Sequence, residues 1–163
     1  MGCGKTYWGQ LLAHKTGLPF LDLDDCISKY SGQSIARIFS KKGESAFREI
    51  ERDTLLNLAD LPPSIIATGG GTPCFFDNMT WMNTMGTTIY LKTPPTLLAK
   101  RLSHEKGFRP LLAGVSERDL EGFIEKKLAK REPFYLRAKV ILEQRDAEVD
   151  FLEKLMVQFE GIE

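Results

Sequence analysis

The chain is 163 residues long, the usual size of one globular domain, and 42% of its residues are hydrophobic. Its 22 basic and 22 acidic residues cancel, so the overall charge gives no reason to expect binding to nucleic acid or to an anionic membrane. The three cysteines are widely spaced and form no C-x-x-C pair, which favours a reducing compartment. No apolar run approaches the roughly 20 residues of a membrane span. We therefore expect a cytoplasmic protein that contacts neither nucleic acid nor membrane.

The first six residues end in Gly4-Lys5-Thr6, the sequence that closes a phosphate-binding loop. In such loops backbone N–H groups surround phosphates at a helix N-terminus, the Lys reaches the β- and γ-phosphates, and the hydroxyl binds Mg²⁺. Hydrophobic periodicity predicts a helix over residues 7–15, directly after the loop. The alternative is an ordinary helix start whose Lys and Thr are solvated.

Residues 20–24, FLDLD, are predicted to form a short buried parallel strand that ends in carboxylates. On a strand, Asp22 and Asp24 would point to the same face, at the edge where open α/β sheets bind ligands. The alternative is that Asp24 or Asp25 caps the next helix.

Three helices are predicted next, over residues 25–30, from Ser34 to Gly43, and over 44–59. Arg48 and Glu51 are i, i+3 neighbours on the third helix, a spacing that usually gives a surface ion pair of little value. The pair becomes important if Glu51 holds the guanidinium so that it grips an anion bidentately.

A strand predicted over residues 64–68 leads directly into Gly69-Gly70-Gly71. Three glycines at the carboxyl end of a strand indicate a close approach of the backbone to another group, or a positive φ. We expect a loop that approaches a ligand, at the same edge as Asp22 and Asp24. A flexible turn is the alternative.

The second half of the chain continues the alternation of helices and strands. Helices are predicted over residues 77–84, 95–103, 116–132 and 147–159, and strands over 87–91 and 139–142. Pro133 should break or turn the third of these helices. The polar, glycine-bearing stretch 104–114, which contains Arg109, is predicted to be a mobile lid.

Alternating strands and helices predict a parallel sheet covered by helices on both faces. Its carboxyl edge would carry the phosphate loop, two aspartates, the triple glycine and arginines from separate segments. That set suits phosphoryl transfer from a nucleotide to a small anionic alcohol, because the loose transition state needs positioning and positive charge. A closing lid would exclude the water that would otherwise hydrolyse the nucleotide.

These residues resemble the shikimate kinase family, from Met1 to the last helix. Six family motifs occur here in the family order and at similar spacing: Gly2-Cys3-Gly4-Lys5-Thr6, Asp22-Leu23-Asp24, Phe47-Arg48-Glu49-Ile50-Glu51, Gly69-Gly70-Gly71, Arg109-Pro110-Leu111-Leu112 and Arg131-Glu132-Pro133-Phe134-Tyr135. The resemblance implies a P-loop three-layer α/β/α fold with a five-stranded parallel sheet. It also implies one kinase domain over residues 1–163, with substrate-binding helices at 25–60 and a lid at 104–116.

The activity that the resemblance implies is ATP-dependent phosphorylation of the 3-hydroxyl of shikimate, in aromatic amino-acid biosynthesis. Asp24 would act as the base or orient the attacking hydroxyl, and Arg48 and Arg131 would grip the carboxylate. The remaining substrate contacts would come from Glu51, which fixes Arg48, from the backbone of Gly70 and Gly71, and from the rings of Phe39 and Phe47.

On the nucleotide side, the resemblance implies that Lys5 and Arg109 touch the γ-phosphate and that Thr6 and Asp22 serve Mg²⁺. Arg101 would lie against adenine, with Arg145 nearby. The phosphate loop would comprise Gly2, Cys3, Gly4, Lys5, Thr6 and Tyr7. No coiled-coil heptad is evident, so we expect a monomer.

Family members begin with a strand and a Gly-x-x-Gly lead-in, both of which would lie before Met1. That strand is central in the family sheet, so its loss would leave two neighbours without ladder partners. Each unpaired buried backbone group costs about 1–3 kcal/mol. We expect the natural chain to start upstream, with Met1 an internal methionine or an early start assignment.

Two rival functions stay open. Gluconate-type and nucleotide kinases share the phosphate loop and lid, but have no obvious need for Arg48 and Arg131 together with a triple glycine. A truncated kinase fold that binds nucleotide or shikimate without turnover is the second rival.

Overall fold

The computed structural model describes residues 2–103, 116–145 and 150–160. Its tertiary contacts divide the chain into two compact units. The first is Lys5–Gly86, and the second combines Met1–Gly4 with Thr87–Glu163. We call them the Lys5–Gly86 unit and the Thr87–Glu163 unit. That residues 1–163 act as a single domain stays a prediction.

The Lys5–Gly86 unit contains two parallel strands and four α-helices. In chain order these are α1 (Lys5–Thr16), β1 (Phe20–Asp22), α2 (Leu23–Ser31), α3 (Ile35–Asn57), β2 (Ile65–Ala67) and α4 (Asn78–Met85), with 3-10 turns at Leu58–Asp60 and Thr72–Cys74. The strands pair in parallel, with Phe20 opposite Ile65 and Asp22 opposite Ala67. Asp22 and the segment after Ala67 therefore leave the sheet at the same edge.

The core of this unit lies between α2 and α3. It comprises the buried side chains of Leu23, Ile27, Ile38, Phe47 and Leu55. Helix α1 packs closely on β1, since a Cβ atom added to Gly9 would lie 2.7 Å from the Phe20 ring. Glycine at this position therefore permits the helix that follows the phosphate loop to lie close to the strand that carries Asp22.

Strand β1 is shorter than the predicted strand 20–24, and the placement of Asp24 on it is wrong. β1 ends at Asp22, whose carboxylate Oδ1 accepts a 3.0 Å hydrogen bond from the Asp24 N–H. Asp22 is thus the N-cap of α2, and Asp24 lies in the first turn of that helix. Capping satisfies an N–H group that the helix leaves unpaired, so the chain turns into the helix two residues early.

The two helices predicted on either side of Gly43 are present as the two halves of α3. Gly43 has φ 78° and ψ 178°, a conformation that glycine adopts without strain, and it kinks the helix there. Ser34 caps the helix as predicted, accepting from the N–H of Arg37. The kink separates the first half of α3 from the second, which carries Arg48 and Glu51.

The Thr87–Glu163 unit contains the other two described strands. Its elements are β3 (Ile89–Lys92), α5 (Pro95–Ser103), α6 (Glu117–Tyr135), β4 (Val140–Glu143) and α7 (Phe151–Glu160). β3 and β4 are parallel, with Ile89 opposite Val140 and Lys92 opposite Glu143. Its core joins α5 to α6 through Leu98, Leu102, Leu120 and Ile124.

Pro133 neither ends nor turns helix α6, contrary to the prediction. The helix continues to Tyr135, and its final turn is closed by a 2.8 Å hydrogen bond from the Leu136 N–H to the Glu132 carbonyl. A proline so close to the end removes one N–H donor while the turn after it stays bonded.

Parallel pairing is confirmed, and the ladders among the described strands form two separate pairs, β1–β2 and β3–β4. The predicted lid at 104–116 lies outside the described residues except for Ser116, which caps α6 by accepting from the Asp119 N–H. The start of the predicted helix 147–159 also lies outside them. No helix within the described ranges is long and apolar enough to cross a membrane.

Candidate active site

A buried stripe on the second half of α3 contains an ion pair. The buried residues Phe47, Arg48, Glu51, Thr54 and Leu55 follow helical spacing, so the charged residues face the same interior as the apolar ones. Arg48 Nη1 donates to Glu51 Oε2 at 2.8 Å, and the Glu51 side chain is only 1% exposed. A buried charge of this kind requires a partner, which Arg48 supplies.

The other edge of the Arg48 guanidinium faces a second carboxylate. Arg48 Nε and Nη2 donate to Glu44 Oε1 at 3.3 Å and 3.0 Å. Unlike Glu51, the Glu44 side chain is 57% exposed. The Nε/Nη2 edge, which is the fork that matches a planar carboxylate, therefore holds an exposed group that solvent can reach.

Two aromatic rings hold the guanidinium. Its central carbon lies 4.2 Å from the centroid of the Phe75 ring and 4.9 Å from that of Phe47. The Phe39 ring packs against Phe47, with centroids 4.5 Å apart. Stacking on aromatic rings is favourable for a guanidinium and restricts its orientation.

The triple glycine lies directly against this cluster. A Cβ atom added to Gly71 would lie 2.5 Å from Arg48 Nη2, although the φ of −90° at Gly71 suits any residue. A Cβ atom added to Gly69 would lie 3.1 Å from Glu51 Oε1 and 3.5 Å from Asp24 Oδ1. The backbone at these two positions lies so close to the cluster that added side chains would displace Arg48 or crowd Glu51, while its approach to a ligand stays a prediction.

The second oxygen of Glu51 has its own partner. Thr72 Oγ1 donates to Glu51 Oε1 at 2.7 Å, and the Thr72 carbonyl accepts from Asn78 Nδ2 at 2.9 Å. Thr72 is 0% and Asn78 2% exposed, so the chain of contacts from α4 to Arg48 is closed to solvent.

Asp24 lies beside this network with an altered acidity. Although its side chain reaches solvent, partial desolvation by the surrounding protein raises the pKa of its carboxyl group above 3.8. The negative charges of Asp22 and Glu51 raise it further, and the positive charge of Lys5 opposes them. Asp24 is therefore a better proton acceptor than an ordinary aspartate.

Thr6 and Asp22 provide two adjacent oxygen ligands. Thr6 Oγ1 donates to Asp22 Oδ2 at 3.1 Å. The described residues contain no group of three or more His, Cys, Asp or Glu side chains that would hold a metal ion by themselves. Mg²⁺ at phosphate sites uses one or two protein oxygens and takes its other ligands from phosphates and water, so this pair fits it.

Two glycines of the predicted phosphate loop have left-handed backbone angles. Gly2 and Gly4 have φ of 73° and 79°, with Cys3 between them, and α1 begins at Lys5. Successive positive-φ turns at a helix N-terminus give the concave backbone that binds anions. Tyr7 is 59% exposed and contacts Trp8 edge-on, with ring centroids 5.0 Å apart.

In the Thr87–Glu163 unit, a hydrogen-bonded cluster lies at the carboxyl ends of β3 and β4. Gln144 Oε1 accepts from Thr93 Oγ1 and from Arg101 Nη1, both at 2.9 Å. Gln144 is 2% exposed, and its Nε2 is buried without a hydrogen-bond partner. Arg145 follows directly and is exposed.

Known proteins are similar to this chain over most of its length. A family model described as shikimate kinase matches residues 1–159. The chain belongs to the shikimate kinase family. It is 49% identical over 140 residues to the shikimate kinase of Parabacteroides distasonis, covering 86% of this chain and 81% of that protein. It is 42% identical over 162 residues to that of Phocaeicola vulgatus, covering 94% and 93%.

Solved structures of shikimate kinases share the fold. The crystal structure of shikimate kinase from Bacteroides thetaiotaomicron matches with a TM-score of 0.91 at 38% identity, over 98% of this chain and 94% of that one. Shikimate kinase from Acinetobacter baumannii in complex with shikimate matches with a TM-score of 0.85 at 34% identity, over 99% and 89%. The chain therefore has the P-loop α/β fold of this kinase family.

Beyond the phosphate loop and Asp22, the residues predicted from the shikimate kinase motifs fall into three groups. The structure brings together Asp24, Arg48, Glu51, Gly71 and the rings of Phe39 and Phe47, with Gly70 in the same loop. Arg101, Arg131 and Arg145 belong to the Thr87–Glu163 unit, and their approach to the Arg48 site stays a prediction. Arg109 lies outside the described residues.

Four residues of the cluster around Arg48 and Glu51 were missed by the sequence reasoning: Glu44, Thr72, Phe75 and Asn78. Glu44 had a usable signal, since it precedes Arg48 by four residues and therefore lies on the same helix face. Thr72 lies 21 residues from its partner Glu51, Phe75 covers Arg48 from beyond the glycine turn, and Asn78 bonds to Thr72, so only the tertiary structure reveals these three.

Proposed function

We propose that this chain transfers the γ-phosphoryl group of ATP to the 3-hydroxyl of shikimate, giving shikimate 3-phosphate. Membership of the shikimate kinase family supports this, as does the bound shikimate of the related Acinetobacter baumannii enzyme. The observation that carries the proposal is the arrangement of Arg48 between two aromatic rings, against Gly71 and beside Asp24.

This arrangement suits a small rigid carboxylic acid with ring hydroxyls. The Nε/Nη2 edge of Arg48 would bind the carboxylate of shikimate, in the position that Glu44 Oε1 takes in the structure. Phe39 and Phe47 would cover the apolar side of the ring, while the backbone of Gly70 and Gly71 would meet its hydroxyls. Arg131 would supply a second guanidinium to the same carboxylate.

Asp24 would accept or orient the proton of the attacking hydroxyl. Partial desolvation and the charges of Asp22 and Glu51 raise the pKa of Asp24, which improves proton acceptance, as general-base catalysis requires. ATP supplies the phosphoryl group. Lys5, together with Arg109, would balance the negative charge that develops on it, in line with the electrostatic demands of phosphoryl transfer.

The remaining assignments are also proposals. Thr6 and Asp22 would hold Mg²⁺, and the loop residues Gly2, Cys3, Gly4, Lys5, Thr6 and Tyr7 would surround the phosphates. Arg101 and Arg145 would lie by the adenine. A cytoplasmic location is supported by Cys3, Cys26 and Cys74, which form no disulfide, and a monomer by the lack of a coiled-coil pattern in the sequence.

The test is ADP release from MgATP, measured with shikimate, with gluconate and with nucleoside monophosphates in parallel. We expect release that depends on shikimate and yields shikimate 3-phosphate, identified by mass spectrometry. Release with a rival substrate alone would assign a different kinase reaction. Tight shikimate binding without ADP release would make the protein a binding module.

A further inference from the structure

We propose that Thr72 is a positioning residue, which sets the shikimate affinity of Arg48 by fixing the carboxylate of Glu51. This inference rests on the proposed function, since it assigns the control of one substrate contact within that site. Thr72 itself is fully buried, so it acts on the substrate only through its neighbours.

The first step concerns the orientation of Glu51. Its two oxygens have separate partners, Thr72 Oγ1 at 2.7 Å and Arg48 Nη1 at 2.8 Å. The terminal torsion of a glutamate is broad and roughly two-fold, so one hydrogen bond leaves the carboxylate plane free to rotate. The bond from Thr72 removes that freedom, and a fixed Oε2 then fixes Nη1 of Arg48.

The second step is that Thr72 is held on its other side. Its N–H donates to the Gly69 carbonyl at 3.2 Å, and its own carbonyl accepts from Asn78 Nδ2 at 2.9 Å. The hydroxyl therefore projects from a backbone that the glycine turn and α4 both hold in place. A hydroxyl on a mobile backbone would not orient Glu51.

The third step is that Arg48 has little space to compensate. Its guanidinium lies against Gly71, where an added Cβ atom would be 2.5 Å away, and Phe75 covers one face at 4.2 Å. A rotation of Glu51 would pull Nη1 away from this position and tilt the Nε/Nη2 edge that meets the substrate carboxylate. A tilted edge would weaken the paired hydrogen bonds to that carboxylate, because bidentate binding depends on the orientation of the guanidinium fork.

The experiment separates the hydroxyl of Thr72 from its methyl group. Thr72→Val keeps the shape and removes the hydroxyl, whereas Thr72→Ser keeps the hydroxyl and removes the methyl. Thr54→Val is the matched control, because Thr54 is likewise buried but donates its hydroxyl to a backbone group, the Ile50 carbonyl at 2.7 Å, and not to Glu51. KM for shikimate, KM for ATP and kcat are measured for each, together with the melting temperature.

We expect Thr72→Val to raise KM for shikimate about tenfold, with KM for ATP and kcat within about twofold of the wild type. Thr72→Ser and Thr54→Val should both keep the wild-type KM for shikimate. Packing alone predicts the reverse, with Ser more harmful than Val. If Thr72→Val does not fold, Thr72→Ala takes its place in the comparison with Ser.

Three results would overturn the inference: an unchanged KM for shikimate in Thr72→Val, an equal rise in Thr54→Val, or a parallel rise in KM for ATP. Each of them leaves the proposed function intact, since the wild-type enzyme would still turn over shikimate. A wild-type protein that does not turn over shikimate would overturn both, and is recognised before any variant is made.

Discussion

The two units each bind one arginine side chain, but the hydrogen-bond partners differ in charge. In the Lys5–Gly86 unit, Arg48 is buried and bonded to two carboxylates, Glu44 and Glu51. In the Thr87–Glu163 unit, Arg101 donates to the neutral amide oxygen of Gln144, whose Nε2 is the one buried side-chain polar atom without a partner among the described residues. Arg48 therefore has a fixed position and a largely compensated charge, whereas no carboxylate in the described part of the chain forms an ion pair with Arg101.

This difference indicates separate tasks. A fixed guanidinium suits the recognition of one small rigid acid, since little ordering is left to occur on binding. A guanidinium bonded to a neutral amide, with an unsatisfied amide nitrogen beside it, suits a larger ligand that completes the hydrogen bonds. We therefore expect substitutions at the two places to act on different substrates.

The largest expected effect is on the chemical step, through Asp24. Asp24→Asn removes the proton acceptor with almost no change in shape, so kcat should fall by about 10²–10⁴. KM for each substrate should change far less. Single-turnover kinetics of shikimate 3-phosphate formation measure this directly. A kcat within tenfold of the wild type would restrict Asp24 to orienting the hydroxyl.

Although Asp24→Asn should lower kcat, it should increase the stability of the folded protein at neutral pH. Because the pKa of Asp24 is raised in the folded protein, the folded state binds more protons than the unfolded state at pH values just above 3.8. Stability contributed by the protonated group is lost as pH rises through the raised pKa, and the ionised form is unfavourable above it. Asp24→Asn should therefore be more stable than the wild type at neutral pH, with the urea midpoints converging as pH falls toward 3.8.

The next effect tests the geometry of Arg48. Arg48→Lys keeps the charge but loses the planar fork and the stacking on Phe75, so KM for shikimate should rise about 100-fold. Arg52→Lys is the control, since Arg52 lies one turn further along α3 and also covers a ring, that of Phe76, at 4.8 Å. KM for ATP should stay unchanged in both. Equal effects of the two substitutions would show that any arginine-to-lysine change in this part of α3 weakens binding. Arg48 would then have no specific role in recognising shikimate.

The sequence predicts those features of this site that depend on residues close together in the chain, and misses those that depend on distant residues. Periodicity and capping residues are local, so helix α5 at Pro95–Ser103 and the caps at Ser34 and Ser116 are confirmed. The strand placement of Asp24 is wrong because an equally local signal, capping by Asp22, competes with the strand. Sequence patterns carry no comparable signal for the bond between Thr72 and Glu51, which are 21 residues apart.

A smaller effect is expected from the glycine against Arg48. Gly71→Ala places a methyl group 2.5 Å from Nη2 without backbone strain, because the φ of −90° is ordinary for alanine. Displacement of the guanidinium should raise KM for shikimate about tenfold. Gly86→Ala is the control, since nothing lies within 4 Å of its added Cβ atom. An unchanged KM in Gly71→Ala would show that the position of Arg48 does not limit binding.

The difference between the two units predicts that a substitution of Arg101 changes KM for ATP and leaves KM for shikimate unchanged. Arg101→Met keeps the aliphatic stem and removes the bond to Gln144, so KM for ATP should rise severalfold while KM for shikimate stays constant. Lys100→Met removes the same charge from the preceding position and should change neither. A rise in KM for shikimate in Arg101→Met would show that the two clusters do not have separate substrates.

The smallest expected effect is a lower KM for shikimate when Glu44, the exposed partner of Arg48, is substituted. Glu44 takes the Nε/Nη2 edge that the shikimate carboxylate would use, so the two carboxylates compete for it. Glu44→Gln weakens the competitor and should lower KM for shikimate about twofold to threefold, an effect of the size found for exposed ion pairs. Glu49→Gln removes the same charge from an exposed position of the same helix and controls for the general electrostatic change.

Added salt should shrink the difference between Glu44→Gln and the wild type, because it screens the exposed carboxylate more than the buried Glu51. A KM that rises in Glu44→Gln would mean instead that Glu44 helps to hold Arg48 in its binding position, and that the guanidinium needs both carboxylates to stay there.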